Sequence, residues 1–453
     1  LLLAPAAVAA NRIEFTGVTG ERRDNINLYL SSFAPAQINK SARFKNRVAR
    51  QIRQGLRGLG YYQVLIDFED KSDGDDYVLL AKITAGKYVF IDLLDLQMHG
   101  AAVRDDEFIQ LQRKMAPRKG ERMHHGKYEA YKKALLNLAH RKGYFDASFR
   151  RQELQVTPGK RQGKLYLYFD SGVRYRFGSI NFQGSQIRDA RLQTLVPFKS
   201  GDAYSTEQLA KLNQKLAATA WFTGIDLDVD PQARQHGQIP VNVRLTPAIR
   251  NSVETGVGFA TDVGARLKLN WDKPWLNNRG HSLTTALAVS NPEQSLEVGY
   301  KFPLRDVAND YYQLSFGYQH KDLVDTRSTS YNLKAERRWI LGDDWRPGMS
   351  IRWLYEDYYQ GIQQDKSNLL LPGLLISRNK DSGGSMPRQA SALLLSAEFA
   401  NKSWGSDTDF IWLYGRTGRI GSFSDDSRWL VKLEAGAILQ ESVSSIPPSM
   451  RFF

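Results

Sequence analysis

The chain has 453 residues, 42% hydrophobic and 24% charged, enough apolar content for more than one core. It has no cysteine, which excludes disulfide staples, zinc–thiolate sites and thiol chemistry. A formal charge of +14 fits nucleic acid, anionic lipid or an acidic partner. No apolar run reaches the roughly 18 residues of a membrane-spanning helix, which leaves open a barrel strand that alternates its hydropathy.

The first ten residues, LLLAPAAVAA, read as the end of a secretion signal, with Val8 and Ala10 before the cut. Residues 1–10 are expected to be a leader remnant, with the natural start upstream. Export argues against a nucleic-acid partner.

From residue 11 a pattern of about 80 residues recurs three times, over 11–87, 88–172 and 173–248. A strand opens each unit: RIEFTGV (12–18), VFIDLLDLQMHG (89–100) and YRFGSINFQGS (175–185). A helix and a loop follow, then a helix with one apolar stripe. The stripes are Phe44, Val48, Ile52 and Leu56; Tyr128, Tyr131, Leu135 and Leu138; and Leu209, Leu212 and Leu216. Before the third stripe, Ser205 and Gln208 have capping-box spacing, with Ser205 expected to accept from the residue-208 amide. Each stripe helix ends in a small residue and two aromatics: Gly60-Tyr61-Tyr62, Gly143-Tyr144-Phe145 and Ala220-Trp221-Phe222. The glycines suit a left-handed helix terminus. Two strands close each unit, at 64–70 and 77–84, 147–156 and 164–170, and 224–230 and 240–246. The unit is β-α-α-β-β, an α+β module whose small sheet leaves an edge open to an extended peptide. Tyr204, Leu209, Leu212, Leu216, Trp221 and Phe222 are the expected packing and joint residues of the third unit.

After residue 249 the period becomes two. Val253, Thr255, Val257 and Phe259 alternate, as do Leu283, Thr285, Leu287 and Val289, and Leu296, Val298, Tyr300 and Phe302. Eleven strands of about ten residues are expected over 249–453, the length of a tilted outer-membrane strand. Eight of the nine tryptophans lie here, all but Trp221, as suits interfacial belts. Lys268, Glu297, Lys301, Arg338 and Glu434 fall on the opposite face, which then needs a polar lumen.

The stretch GDAYSTEQLAKLNQKLAATAWF (201–222), after two similar units and before a β-region, resembles the third POTRA domain of the TamA family. That family is the outer-membrane subunit of translocation and assembly modules, within the BamA-type superfamily. Three POTRA modules fit it; BamA itself would have more and two-partner secretion transporters fewer. The resemblance implies a transmembrane antiparallel barrel of about sixteen strands, of which this chain would supply the first eleven. It also implies a long loop folding into the lumen, whose start would be SIPPSMRFF (445–453), so the chain is expected to be a fragment. A gate is implied where the first barrel strand meets the last. Val253, Thr255, Gly256, Val257, Gly258 and Phe259 are its candidates here. Gly256 and Gly258 either weaken that strand or only shape its curve. The partners implied are a TamB-type inner-membrane-anchored protein, client β-barrel or autotransporter polypeptides, and outer-membrane lipid. The location implied is the outer membrane of a Gram-negative bacterium, with the modules in the periplasm.

No nucleophile elbow or phosphate loop is present, so neither an enzyme nor a cofactor is expected. The seven histidines read as solvated surface residues rather than metal ligands. Arg47, Arg50 and Arg53 form one exposed stripe, read either as a solvated helix face or as a contact for anionic lipid or an acidic partner. The functional expectation is a non-enzymatic insertase. The alternatives are a two-partner-secretion transporter for one client, or phospholipid transport between membranes with the TamB-type partner.

Overall fold

The computed structural model describes residues 11–73, 76–261, 264–307, 309–323, 326–342, 344–361, 363–381, 386–424, 427–440 and 446–452. The leader expected at 1–10 lies outside them. The described chain forms two compact units. One holds the residues up to Gly178 with Ser200–Glu207 and Pro231–Ile239, and the other holds Ser179–Lys199, Gln208–Asp230 and everything from Pro240 onward.

The first repeat runs β1 (Arg12–Thr16), α1 (Glu21–Leu30), α2 (Ala42–Gly58), β2 (Leu65–Asp73) and β3 (Asp76–Thr84). The second runs β4 (Phe90–His99), α3 (Asp106–Met115), α4 (His125–Lys142), β5 (Ser148–Thr157) and β6 (Gln162–Asp170). The third runs β7 (Arg176–Gln183), α5 (Asp189–Gln193), α6 (Thr206–Ala217), β8 (Phe222–Val229) and β9 (Gln238–Pro247). Each sheet has three strands with the last in the middle. In the first two repeats that central strand runs parallel to the first and antiparallel to the second.

The stripes explain the helices. Ser41 caps α2 by accepting from the Phe44 amide, and Phe44, Val48, Ile52 and Leu56 then pack with Leu79, Ala81 and Ile83 of β3. Each such aliphatic side chain contributes about 1.5–3 kcal/mol on burial. The α4 stripe packs separately, with Phe108, Leu165, Leu167 and Phe169, and Gly143 ends the helix in the left-handed region. In α6, Leu209, Leu212 and Leu216 are buried. The cap there differs from expectation: the Ser205 hydroxyl accepts from the Glu207 amide at 3.2 Å, one residue earlier than capping-box spacing. Such an i→i+2 turn serves the same orphan amides.

The β-region forms one eleven-stranded sheet in sequence order. Its strands are β10 (Ser252–Ala260), β11 (Gly264–Lys273), β12 (Ser282–Ser290), β13 (Glu293–Pro303), β14 (Tyr311–Leu323) and β15 (Thr326–Arg338). They continue with β16 (Trp345–Gln360), β17 (Gln363–Asp381), β18 (Ala390–Ala400), β19 (Phe410–Ser422) and β20 (Arg428–Leu439). All pairs are antiparallel. Lengths vary from 9 residues in β10 to 19 in β17, not a uniform ten. The β16–β17 ladder continues through polar residues, Gln360 opposite Gln363 and Asp357 opposite Lys366, where hydrogen bonding rather than apolar span sets strand length.

Register fixes the faces, because a one-residue slip would invert them. Leu287, Leu296, Tyr318, Tyr331 and Tyr355 are successive partners on one face. Val257, Leu267 and Val289 continue it toward β10. The other face carries Lys268, Glu297, Lys301, Arg338 and Glu434, as their spacing predicted. On it Glu336 is paired with both Lys334 and Arg338, and Arg352 with Glu398.

Candidate functional site: the joints and the first strand of the sheet

The small residue and aromatic pair that end each stripe helix form a joint each time. At the first, Gly60 has φ +86, and a side chain there would lie 2.3 Å from the Met123 carbonyl oxygen. The Gly60 carbonyl accepts from the Val89 amide at 2.9 Å. Tyr61 meets Tyr88 edge-on, and the Tyr62 hydroxyl bonds His125 Nε2 at 2.7 Å. Glu21 reaches across to Arg122 at 2.6 Å and His124 at 2.8 Å. Those two hydrogen bonds hold the Glu21 carboxyl below its ordinary 4.5. Burial, then the nearby Arg57 charge, pushes His125 below its ordinary 6.5.

The second joint repeats the design. Gly143 has φ +84, and a side chain would meet Tyr204 Cβ at 2.7 Å. Its carbonyl accepts from the Tyr175 amide at 2.9 Å, and Phe145 packs edge-on against Tyr204 with ring centroids 4.9 Å apart. Arg174 Nε donates to the Lys142 carbonyl at 3.0 Å.

At the third joint the small residue is Ala220, held at φ +57 despite its Cβ. Trp221 is 1% exposed and donates from Nε1 to the Gly280 carbonyl at 3.1 Å. Gly280 lies in the turn between β11 and β12. The Arg188 amide bonds the Asn278 carbonyl at 3.1 Å, and Trp275 Nε1 donates to the Ala248 carbonyl at 2.8 Å. The last repeat is thereby fastened to the first hairpins of the sheet. The residues expected to act as one packing set therefore divide. Tyr204 serves the second joint and Trp221 the third, while Leu209, Leu212, Leu216 and Phe222 are buried.

β10 is the first strand of the sheet, and its sole partner among the described strands is β11. Val253, Val257 and Phe259 are 57%, 87% and 80% exposed, and Thr255 is exposed between them. Gly256 and Gly258 alternate with these, opposite Lys268 and Arg266. Neither glycine is required by space: a Cβ at 256 would lie 3.9 Å from Lys268 Cβ, and at 258 it would meet nothing within 4 Å. Arg47, Arg50 and Arg53 are all exposed on α2, with the Arg47 guanidinium over Phe33 and Phe44 at 5.7 and 5.3 Å.

Residues 446–452, where the resemblance implied the start of a loop folding into the lumen, lie against the polar face of the sheet. Ile446 and Met450 join Leu354, Leu369 and Leu371 in a buried cluster, Trp412 Nε1 donates to the Met450 carbonyl at 3.1 Å, and Ser449 bonds Glu356. Three histidines are not solvated surface groups: His124 caps α4, His125 holds Tyr62, and buried His281 bonds the Tyr300 hydroxyl at 2.5 Å. His124 uses both ring nitrogens, one accepting from the Lys127 amide and the other bonding Glu21, a pairing that no spacing rule reveals. Among the described residues no group of histidine and carboxylate side chains could hold a metal ion.

Residues 12–85 match the family model described as POTRA domain TamA domain 1. Residues 175–248 match the POTRA model described as surface antigen variable number repeat. Over 196 residues the chain is 19% identical to the outer membrane protein assembly factor BamA of Buchnera aphidicola subsp. Acyrthosiphon pisum. That alignment takes in 42% of this chain, which spans only 32% of the relative. Among solved structures, BamA from Haemophilus ducreyi lacking POTRA domains 1–3 aligns with a TM-score of 0.45 and 11% identity. It covers 95% of this chain and 70% of that one. CdiB from Escherichia coli aligns with a TM-score of 0.42 and 11% identity, over 95% and 79% of the two chains.

Proposed function

We propose that this chain, which carries POTRA domains at 12–85 and 175–248, works in the outer membrane of a Gram-negative bacterium as a TamA-type assembly factor. The repeats face the periplasm and dock a TamB-type partner, and the sheet is the leading part of a barrel that receives client β-barrel or autotransporter strands. The observation that carries this reading is β10, the first strand of the sheet, in which Gly256 and Gly258 alternate with exposed Val253, Val257 and Phe259, next to a hairpin fastened to the last repeat.

The physical reason is the cost of unpaired amides in lipid. A strand cannot enter the hydrocarbon layer until its backbone groups are bonded, and an accessible strand edge offers those bonds. No catalytic centre or cofactor is needed, because burial of the client's apolar face supplies the driving force. Phospholipid transport with the same partner is the neighbouring reading. It draws on the wide apolar face of the sheet.

The test is photo-crosslinking in cells. A photoreactive amino acid at Thr255 or Val257 of the full protein is expected to trap an assembling β-barrel client. Normal client assembly without any adduct along β10 would defeat the proposal.

A further inference from the structure

The apolar face of the sheet holds two neighbouring grooves. The first is lined by Phe302, Tyr312, Leu314, Met349, Ile351 and Leu374. The second runs past Trp339, Ile376 and Leu395 over a floor of small residues, Gly415, Ala435 and Ala437. They share Met349 and Leu374. One cation stands where they meet. The Arg337 guanidinium lies over Tyr312 of the first groove at 4.9 Å and Trp339 of the second at 5.8 Å. Its Nη2 is 2.5 Å from Asp310 Oδ1, and Nη1 donates to the Tyr311 carbonyl at 3.4 Å. β14 begins and β15 ends beside this cluster. Strand alternation puts it at the end of the sheet where β10 enters from the repeats.

We propose that the two grooves seat the acyl chains of one phospholipid with a primary ammonium headgroup, its phosphate on Arg337 and its ammonium on Asp310. The inference rests on the reading that this face lies in a membrane. Aromatic rings on two sides hold the guanidinium fork in place, and the pair with Asp310 leaves donors free for a phosphate. Because an acid stands beside the base, the Arg337–Asp310 pair has no net charge of its own and suits a zwitterion better than a lone cation would; Arg191, whose charge also acts on Asp310, keeps its Nε and Nη2 buried. A quaternary ammonium has no N–H to give Asp310, so a choline headgroup lacks one of the two contacts. The shared wall of Met349 and Leu374 sets the grooves side by side, as two chains on one glycerol require.

The test uses the full chain in phosphatidylcholine vesicles doped with lipids brominated on their acyl chains. The headgroup is phosphatidylethanolamine, phosphatidylcholine or phosphatidylglycerol. The readout is the tryptophan quenching that disappears in W339F. Brominated phosphatidylethanolamine should quench that component at about threefold lower mole fraction than the other two, the scale of one partly exposed charge contact. D310N should remove the advantage of phosphatidylethanolamine over phosphatidylcholine and make phosphatidylglycerol the strongest quencher, R337Q should make phosphatidylglycerol the weakest, and both should leave the quenching of the remaining tryptophans as in the parent protein. Equal quenching by all three in the parent, or strongest quenching by phosphatidylglycerol, overturns the proposal. No quenching by any brominated lipid would instead show that the face is outside the bilayer, and the reading beneath the proposal would fall with it.

Discussion

Glu21 and His125 make the first joint sensitive to acid, and the signs of their shifts agree. His125 sits below its ordinary 6.5 because burial and Arg57 disfavour the imidazolium, so its contribution is complete above that value and fades as pH falls through its lowered folded value. Glu21 is held below its ordinary 4.5 by His124 and Arg122, so its contribution is lost further into acid, as the carboxylate takes up a proton. The denaturant midpoint of a fragment holding the first two repeats should fall in two stages, one below about 6.5 and one below about 4.5. H125Q should flatten the first stage and E21Q the second. A midpoint that stays level from neutral pH to about 4 would show that the joint does not depend on these groups. At the third joint, Gly280 has φ +79 and a Cβ there would lie 2.0 Å from Trp221 Cζ2. G280A should therefore displace the indole and loosen the docking by about 1–3 kcal/mol. W221F loses the bond to the Gly280 carbonyl and leaves part of the buried indole volume empty, together about 1–3 kcal/mol. Trypsin cleavage near Arg250 should be faster in both G280A and W221F than in the parent; equal rates in all three would mean that this contact does not hold the joint.

At the scale of elements, β10 tests whether glycine there serves looseness or curvature. Space does not demand it at 256 or 258, and neither residue needs a left-handed backbone. Alanine at both positions should strengthen the strand by about 0.5–1 kcal/mol each. If clients exchange onto this edge, G256A/G258A should resist thermal unfolding better yet assemble clients more slowly in reconstituted vesicles. Equal or faster assembly would leave the glycines without a role in exchange. The elements themselves were legible in the sequence wherever one periodicity ran long enough. The Phe44–Leu56 stripe and the Val253–Phe259 alternation each report burial on one face, and burial sets periodicity. The aromatic pairs were visible as landmarks, but not as joints, because what Tyr62 or Trp221 touches lies 60 or so residues away and carries no local signal. For residues 446–452 the resemblance implied a loop in the lumen, but the side chains it packs on were opaque for the same reason. SIPPSMRFF reads as a loop, and only Arg352, Glu356 and Trp412 on strands distant in sequence make it part of a packed surface.

Taken whole, the chain combines repeats that bury their apolar residues internally with a sheet that cannot. The first two repeats have separate cores, around Ile52 and Leu79 in one and around Leu135 and Phe169 in the other. Neither borrows its core from the sheet. The sheet instead leaves Val257, Leu314, Met349, Ile351, Leu374 and Leu433 exposed on a single face, the kind of apolar surface that marks a membrane or partner contact. The repeats and the sheet should therefore behave oppositely in solution. Residues 11–172 should fold without detergent, stay in the aqueous phase of a detergent phase separation, and unfold cooperatively in urea. The full chain should move to the detergent phase and precipitate when detergent is removed. Charge on the apolar face should reverse this in part: M349E/L374E places two carboxylates in the wall shared by the lipid grooves, which no hydrocarbon layer accommodates cheaply. Loss of vesicle insertion in that variant, with the repeats still folded by circular dichroism, is the expected result. Insertion at the parent level would mean that some other surface meets the membrane, and the apolar face of β10–β20 would then need a protein, not a lipid, to cover it.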